Sequence, residues 1–248
     1  MTFLGAPPNM PAMSAGPASA PPEFDPTRLD AFLRSALPDR AAGRLELERI
    51  SGGQSNPTFF ASYPEAGTRL VLRKKPPGPL LPSAHAVERE YRILKALAGS
   101  AVPVPPVLLL HEAEDVVGTP FYLMERLEGR VFHETALPGI APTDRRAMYF
   151  AMAETLAALH GFDWQGAGLA DFGKPGNYYA RQLARWGRQW RETKTQDIPA
   201  IDRAIDWLGA HLDETPDTTI VHGDFRMGNL MFAPAEPKVV AVLDWELS

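Results

Sequence analysis

Not one of the 248 residues is cysteine, which rules out a disulfide scaffold, a thiolate metal site and a cysteine nucleophile. Nothing then points to an oxidising compartment, and the expected location is the cytoplasm. No apolar run approaches the roughly 18 residues that a membrane span needs. Nor is there a basic excess: 25 Lys and Arg face 30 Asp and Glu, a net charge of −5, with an isoelectric point near 5.7. Bulk nucleic-acid binding normally needs a domain-wide positive field, so any basic site must be local. The first residues lack the basic start and continuous apolar middle of a secretion signal, and no internal repeat is present.

What is there is 45% hydrophobic and 22% charged, a globular composition long enough for one large domain or two small lobes. Residues 1–22 are rich in Ala, Pro, Ser and Gly and read as a flexible tail outside the fold. From Arg44 to Val131 the apolar runs are short and densely punctuated. Arg44 to Ile50 alternates with period two, Ser51 to Asn56 turns, and Thr58 to Tyr63 resumes, which predicts a hairpin. A strand from Arg69 to Lys75 runs into a proline-rich loop. Val87, Tyr91, Leu94 and Ala98 then recur at helical spacing, with Gly99 as a stop. Val107–Leu110 and Phe121–Met124 complete a small sheet with one helix.

Beyond Gly129 the pattern changes to long helices: one from near Thr143 to a stop at Gly161, one from Asn177 to about Thr193, one from Pro199 to about Leu212. His160 reads as a C-terminal cap of the first of these. Leu230–Phe232 and Val239–Leu243 then form a second hairpin. This is an α+β arrangement of two lobes joined near Glu125 to Gly129, with residues 23–128 in the first and 129–248 in the second.

The most informative stretch is Val221-His222-Gly223-Asp224-Phe225-Arg226-Met227-Gly228-Asn229, followed after the hairpin by Asp244-Trp245-Glu246. It gathers three oxygen-bearing side chains, Asp224, Asn229 and Asp244, around one loop. Phosphoryl transfer needs such a set: a carboxylate to orient a hydroxyl and accept its proton, and hard oxygen ligands to hold Mg²⁺ on phosphates. Any one of the three alone reads more readily as a turn former or strand cap. The joint pattern is far more specific.

On these residues the sequence from about Leu45 to Ser248 resembles the aminoglycoside phosphotransferase and choline-kinase-like group of small-molecule kinases, which share the protein-kinase fold. The stretches Leu72 to Gly78, Ser83 to Glu90 and Asp244 to Ser248 look like the branch whose kinase-like domains accompany acyl-CoA dehydrogenases. The resemblance implies a small antiparallel-sheet N-lobe with one helix and a mainly helical C-lobe. It implies ATP and Mg²⁺, with Asp224 as catalytic base, His222 supporting its loop, and Asn229 and Asp244 on magnesium. It also implies a hydroxylated small-molecule acceptor and an association with an acyl-CoA dehydrogenase, while charge and hydropathy lead to the expectation of no nucleic acid and no membrane. Family members continue through further helices, so the second lobe reads as truncated at Ser248, with apolar surface of the second hairpin left exposed.

A kinase reading also asks for a basic residue on the third strand, paired with a carboxylate on the next helix. Arg73 stands where lysine is usual, a planar fork in place of a point charge. Lys75 lies on the same strand face and shares or takes over the role. Glu90 lies on the stripe with Val87, Tyr91 and Leu94, whereas Glu88 points away towards Arg92. Ser55, in the first turn, would cover the phosphates, and main-chain groups of Glu125 and Leu127 would carry adenine. Arg181, Arg185, Arg188 and Arg191 fall on one helical stripe. Such a row is either a solvated face or a binding surface for an anionic acceptor such as a hydroxyacyl-CoA, and it argues against a polycationic aminoglycoside. Two other readings stay open: a non-catalytic, pseudokinase-like nucleotide-binding module, and a protein kinase, for which no Ala-Pro-Glu segment follows Asp244.

Overall fold

The computed structural model describes residues 23–50, 56–78, 86–174, 176–212 and 218–248. The Ala/Pro-rich segment 1–22, the 51–55 part of the first turn and Ser55 with it lie outside the described residues. The chain divides into two compact units, one running to Tyr91 and taking up Pro105–Leu127, the other made of Arg92–Val104 and Glu128–Ser248.

The first unit is built on an antiparallel sheet of β1 (Glu46–Arg49), β2 (Thr58–Tyr63), β3 (Thr68–Lys74), β4 (Val107–His111) and β5 (Phe121–Glu125), in the order β1-β2-β3-β5-β4. The period-two alternation explains the faces. Phe59 pairs with Leu72 and Leu72 with Leu123, and Ala61 pairs with Leu70, so these side chains share one side. That side is closed by α1 (Pro26–Ala36), whose Leu29 and Leu33 are fully buried against it. At roughly 1.5–3 kcal/mol per buried leucine, this contact is a principal source of the unit's stability. The helix was not expected from the sequence, and it corrects the reading of one helix in the first half. Its signals are nonetheless ordinary: the Asp25 carboxylate accepts from the Thr27 N–H at 2.8 Å, and Pro26 occupies the first helical position.

The opposite face of the sheet meets the start of α2 (Val87–Leu97), through which the division between the units passes. In the second unit α3 (Pro142–His160), α4 (Tyr178–Thr193) and α5 (Pro199–Ala210) follow the helical periods closely. A second sheet joins β6 (Arg130–Val131), β7 (Leu230–Phe232) and β8 (Val239–Val242), all antiparallel. The hairpin was expected; β6, two residues long, was not. Arg130 fastens it by donating from Nε to the Ala233 carbonyl at 2.9 Å and from Nη2 to that of Glu236 at 3.1 Å.

The expected exposure of the second hairpin is corrected by the structure. Leu230, Phe232, Val239, Ala241 and Val242 are all buried. The large apolar side chains that do reach solvent lie elsewhere, on α3 to α5 (Phe150, Tyr179, Trp186, Trp207) and at Leu247. Among the described residues no helix is long and apolar enough to cross a membrane.

Candidate active site

In the first unit Arg73 and Tyr122 are register partners on β3 and β5, which sets their side chains together on the face away from α1. Both reach Glu90 of α2: Arg73 Nε lies 2.8 Å from Oε2, and the Tyr122 hydroxyl donates to the same oxygen at 3.0 Å. Oε1 accepts from Asn56 Nδ2 at 2.7 Å. Glu90 is 1% exposed, and a carboxylate buried this deeply needs cations and donors around it, which Arg73, Tyr122 and Asn56 supply. Lys75, two residues on from Arg73, pairs with Glu88 at 2.5 Å. The expected Glu88–Arg92 pair is therefore corrected: Arg92 instead holds Asp171 and the Gly168 carbonyl.

Two residues along the same face, Phe60, Val71 and Met124 are consecutive register partners and form an apolar row, with the Arg126 guanidinium 3.6 Å from the Phe60 ring centre. The Glu125 and Arg126 N–H groups both donate to backbone carbonyls, of Pro106 and Arg69, and the Glu125 side chain pairs with Arg40 at 2.6 Å. Leu127 closes this segment of the unit.

In the second unit the Asp224 to Asn229 loop is tied to the end of β8 at several points. Asn229 Nδ2 donates to the Asp224 carbonyl at 2.9 Å and to Asp224 Oδ2 at 2.8 Å. The Leu243 N–H donates to the Asn229 carbonyl at 2.8 Å, which sets Asp244 next in sequence to a residue held on that loop. Gly223 sits at φ +87°, and a Cβ there would fall 2.6 Å from the Leu247 carbonyl oxygen, so two independent constraints require glycine. Asp244 itself adopts φ +65°, a backbone region that non-glycine residues occupy mainly where the surroundings enforce it.

His222 explains part of that enforcement. It is 1% exposed and packs on the buried Trp245 at 4.6 Å. Its Nδ1 accepts the Asp224 N–H at 3.2 Å, so its Nε2 carries the proton and donates to the Leu243 carbonyl at 2.9 Å. Both ring nitrogens are thereby used to join the loop to the end of β8. Burial holds the imidazole below its usual value of 6.5. The unfolded chain takes up a proton near that pH and the native chain does not, so stability falls as pH drops from about 6.5 towards the lower native value. Urea midpoints at pH 7.5 and 5.5 should show this loss in the native chain and a smaller one in His222→Gln.

The donor set fits a hard divalent cation. With its amide nitrogen committed twice to Asp224, the Asn229 side chain has its oxygen available, and Asp244 adds a carboxylate; both are oxygen ligands of the kind Mg²⁺ takes. Among the described residues no group of three or more His, Asp or Glu forms a cage. Magnesium in phosphoryl-transfer sites uses one or two protein ligands and completes its shell with phosphates and water, so a cage is not needed.

Residues 46–248 match the model of the phosphotransferase enzyme family, well over half of the chain. The chain belongs to this family. It is 50% identical over 220 residues to the acyl-CoA dehydrogenase family member 10 of Mus musculus, a match covering 89% of this chain and 20% of that protein. It therefore spans about a fifth of that curated relative's length. Among solved structures, a protein from Ralstonia eutropha provisionally described as an aminoglycoside phosphotransferase is 46% identical, with a TM-score of 0.80 over 90% of this chain and 65% of that one. The GDP complex of aminoglycoside 2'-phosphotransferase-IIIa (17% identical, TM-score 0.62, 89% and 72% covered) shares the fold. So does choline kinase from Cryptosporidium parvum (15% identical, TM-score 0.58, 90% and 64% covered). The α+β, kinase-like architecture is thus that of the family.

In this phosphotransferase-family chain the arginine row of α4 is exposed. Arg181 turns back to the Lys174 carbonyl at 2.7 Å and to that of Gly176, while Arg185 lies over the Trp186 ring. The helix packs through its other side, where Trp190 Nε1 donates to Asp202 of α5 at 3.0 Å. Three polar residues of the two clusters escaped the sequence reading: Asn56, Tyr122 and Arg226. The first stands at the end of the glycine-bearing turn, the second is opposite Arg73 by strand register, and the third lies two positions after Asp224.

Proposed function

We propose that this chain is an ATP-dependent phosphotransferase that moves the γ-phosphoryl group to a hydroxyl of a small molecule. The observation that carries the reading is the Asp224–Asn229 clasp, held beside Asp244 by the His222 and Leu243 hydrogen bonds. Asp224 has one oxygen, Oδ2, committed to its neighbours, and Oδ1 is the atom that orients the acceptor hydroxyl and takes its proton. Asn229 and Asp244 hold Mg²⁺, which when bound neutralises phosphate charge and polarises the transferred group. His222 keeps the loop in shape.

In the first unit Arg73, aimed by Glu90, binds nucleotide phosphates, with Lys75 and Ser55 assisting. The apolar row of Phe60, Val71 and Met124 takes the base, aided by main-chain groups of Glu125 and Leu127. A row of this kind beside a fixed guanidinium matches a nucleotide, which is flat and apolar at one end and anionic at the other.

For the acceptor, the exposed guanidinium groups of Arg185 and Arg188 favour an anion over a polycationic aminoglycoside. A hydroxyacyl-CoA fits that charge, and it fits the name of the mouse relative, with which a working association to acyl-CoA dehydrogenation is proposed. Transfer of labelled phosphate from ATP to 3-hydroxyacyl-CoA and to kanamycin tests this. The thioester should be labelled, and Arg185→Glu with Arg188→Glu should raise its KM about tenfold, as expected for two exposed contacts of up to about 1 kcal/mol each. Labelling of kanamycin alone, or an unchanged KM, rejects the acceptor class.

A further inference from the structure

The side chain closest to the Asp224 carboxylate in charge terms is Arg226, which the reading above does not use. Its Nε donates to Asp224 Oδ2 at 2.9 Å, and both side chains are open to solvent, at 53% and 40% exposure. This ion pair is seated on a glycine. A Cβ on Gly228 would lie 2.5 Å from Arg226 Nη1, so the absence of a side chain there is what lets the guanidinium lie along the loop. The Gly228 backbone needs no left-handed conformation, and its role is to leave space. With Nε spent on Asp224, the outer edge of the guanidinium, with the N–H bonds of Nη1 and Nη2, makes no hydrogen bond to any described residue.

A carboxylate base beside an incoming phosphoryl group poses an electrostatic problem, because both are anionic. A guanidinium joined to the base through one nitrogen, and carrying further donors in the same plane, answers it. It screens the base and offers a planar pair of N–H groups to the equatorial oxygens of phosphorus. We propose that Arg226 is a further catalytic residue of this chain, one that binds the phosphoryl group in flight while its Nε holds Asp224. The inference rests on the phosphotransferase reading. In the step it serves, the acceptor hydroxyl oxygen bonds to the γ-phosphorus and the bond from phosphorus to the β–γ bridging oxygen breaks. The electron pair leaves with ADP, and the hydroxyl proton passes to Asp224 Oδ1. Arg226 gains most contact when the three equatorial oxygens are flattened, so its effect belongs to the transition state more than to bound ATP.

Affinity for a planar phosphoryl mimic reads this without any acceptor. The dissociation constant of ADP with Mg²⁺ is measured with and without aluminium fluoride for the native chain and for Arg226→Gln, Arg226→Lys and Gly228→Ala. Fluoroaluminate should tighten native binding by about a hundredfold or more. Arg226→Gln should lose most of that tightening, at an unchanged thermal midpoint and with affinity for Mg-ADP alone within about twofold of native. Arg226→Lys should keep part of it. Gly228→Ala, which retains the arginine and displaces it, should lose part. Equal tightening in Arg226→Gln and native chain overturns the assignment, as does loss of Mg-ADP affinity itself, which would make Arg226 a ground-state or structural contact. A native chain that binds no Mg-ADP brings down the phosphotransferase reading and this inference with it; one that binds Mg-ADP without any response to fluoroaluminate overturns the inference alone.

Discussion

Asp224→Asn is expected to lower phosphoryl transfer by about 10²- to 10⁴-fold, the range that loss of a positioned general base produces. The substitution is nearly isosteric, so the loop has little reason to rearrange. Asn229 Nδ2 donates to the Asp224 backbone carbonyl as well as to Oδ2, and the first of these bonds does not depend on the side chain. His222 likewise holds the loop through the Asp224 N–H. What the amide removes is the carboxylate oxygen proposed to take the hydroxyl proton. Affinity for Mg-ATP should stay within a few-fold of native, because the ligands proposed for magnesium are Asn229 and Asp244. A single-turnover assay with labelled ATP, run beside a nucleotide titration, separates the two quantities. Undiminished transfer in Asp224→Asn would remove Asp224 as the base.

Glu90→Ala should have the largest effect on stability, about 3–5 kcal/mol, as when one partner of a buried ion pair is deleted. Glu90 engages three groups at once, accepting hydrogen bonds from Tyr122 and Asn56 and pairing in charge with Arg73, each anchored on a different stretch of the first unit. Removing it leaves the buried Tyr122 hydroxyl and Asn56 amide without this acceptor and the Arg73 guanidinium without this counter-charge. Urea unfolding reads the loss as a lower midpoint. Glu90→Gln, which keeps the shape and one acceptor, should fall between native and alanine. If alanine and native unfold at the same urea concentration, the cluster contributes nothing to stability.

Much of the fold could be read from residue periodicity, because strands and helices buried on one face leave a regular trace. Thr58 to Tyr63 and Val87 to Leu97 form where their apolar spacing places them. The errors have a common physical origin in distance along the chain. Glu88 has an arginine four residues on, the usual helical partner, yet it pairs with Lys75 because β3 delivers that ammonium to it. Arg92 finds Asp171, 79 residues away, which no local rule anticipates. β6 is two residues long, too short to show any period, and it pairs with the edge of the hairpin that was expected to be bare. α1 did carry a local signal, a capping aspartate before a proline and leucines four apart, hidden next to a segment rich in proline.

The candidate site divides in the same way. Asp224, Asn229 and Asp244 stand out because the joint pattern, two oxygen-bearing residues five apart and a third just after a hairpin, is more specific than any one of them. The side chains that hold the first cluster, Tyr122 opposite Arg73 in strand register and Asn56 at the end of the first turn, became visible only through their hydrogen bonds to Glu90. Arg226 was visible in the sequence but had no meaning until its contact with Asp224 and the space at Gly228 were known.

The claim that this chain works on a magnesium nucleotide is tested most directly by its thermal midpoint with ATP, with Mg²⁺, and with both. At about 100 times Kd, the two together should stabilise the native chain by about 2.7 kcal/mol. The shift should persist in Asp224→Asn and be lost in Asp244→Asn. A midpoint that ignores Mg-ATP, or a shift that survives intact in Asp244→Asn, would contradict the account.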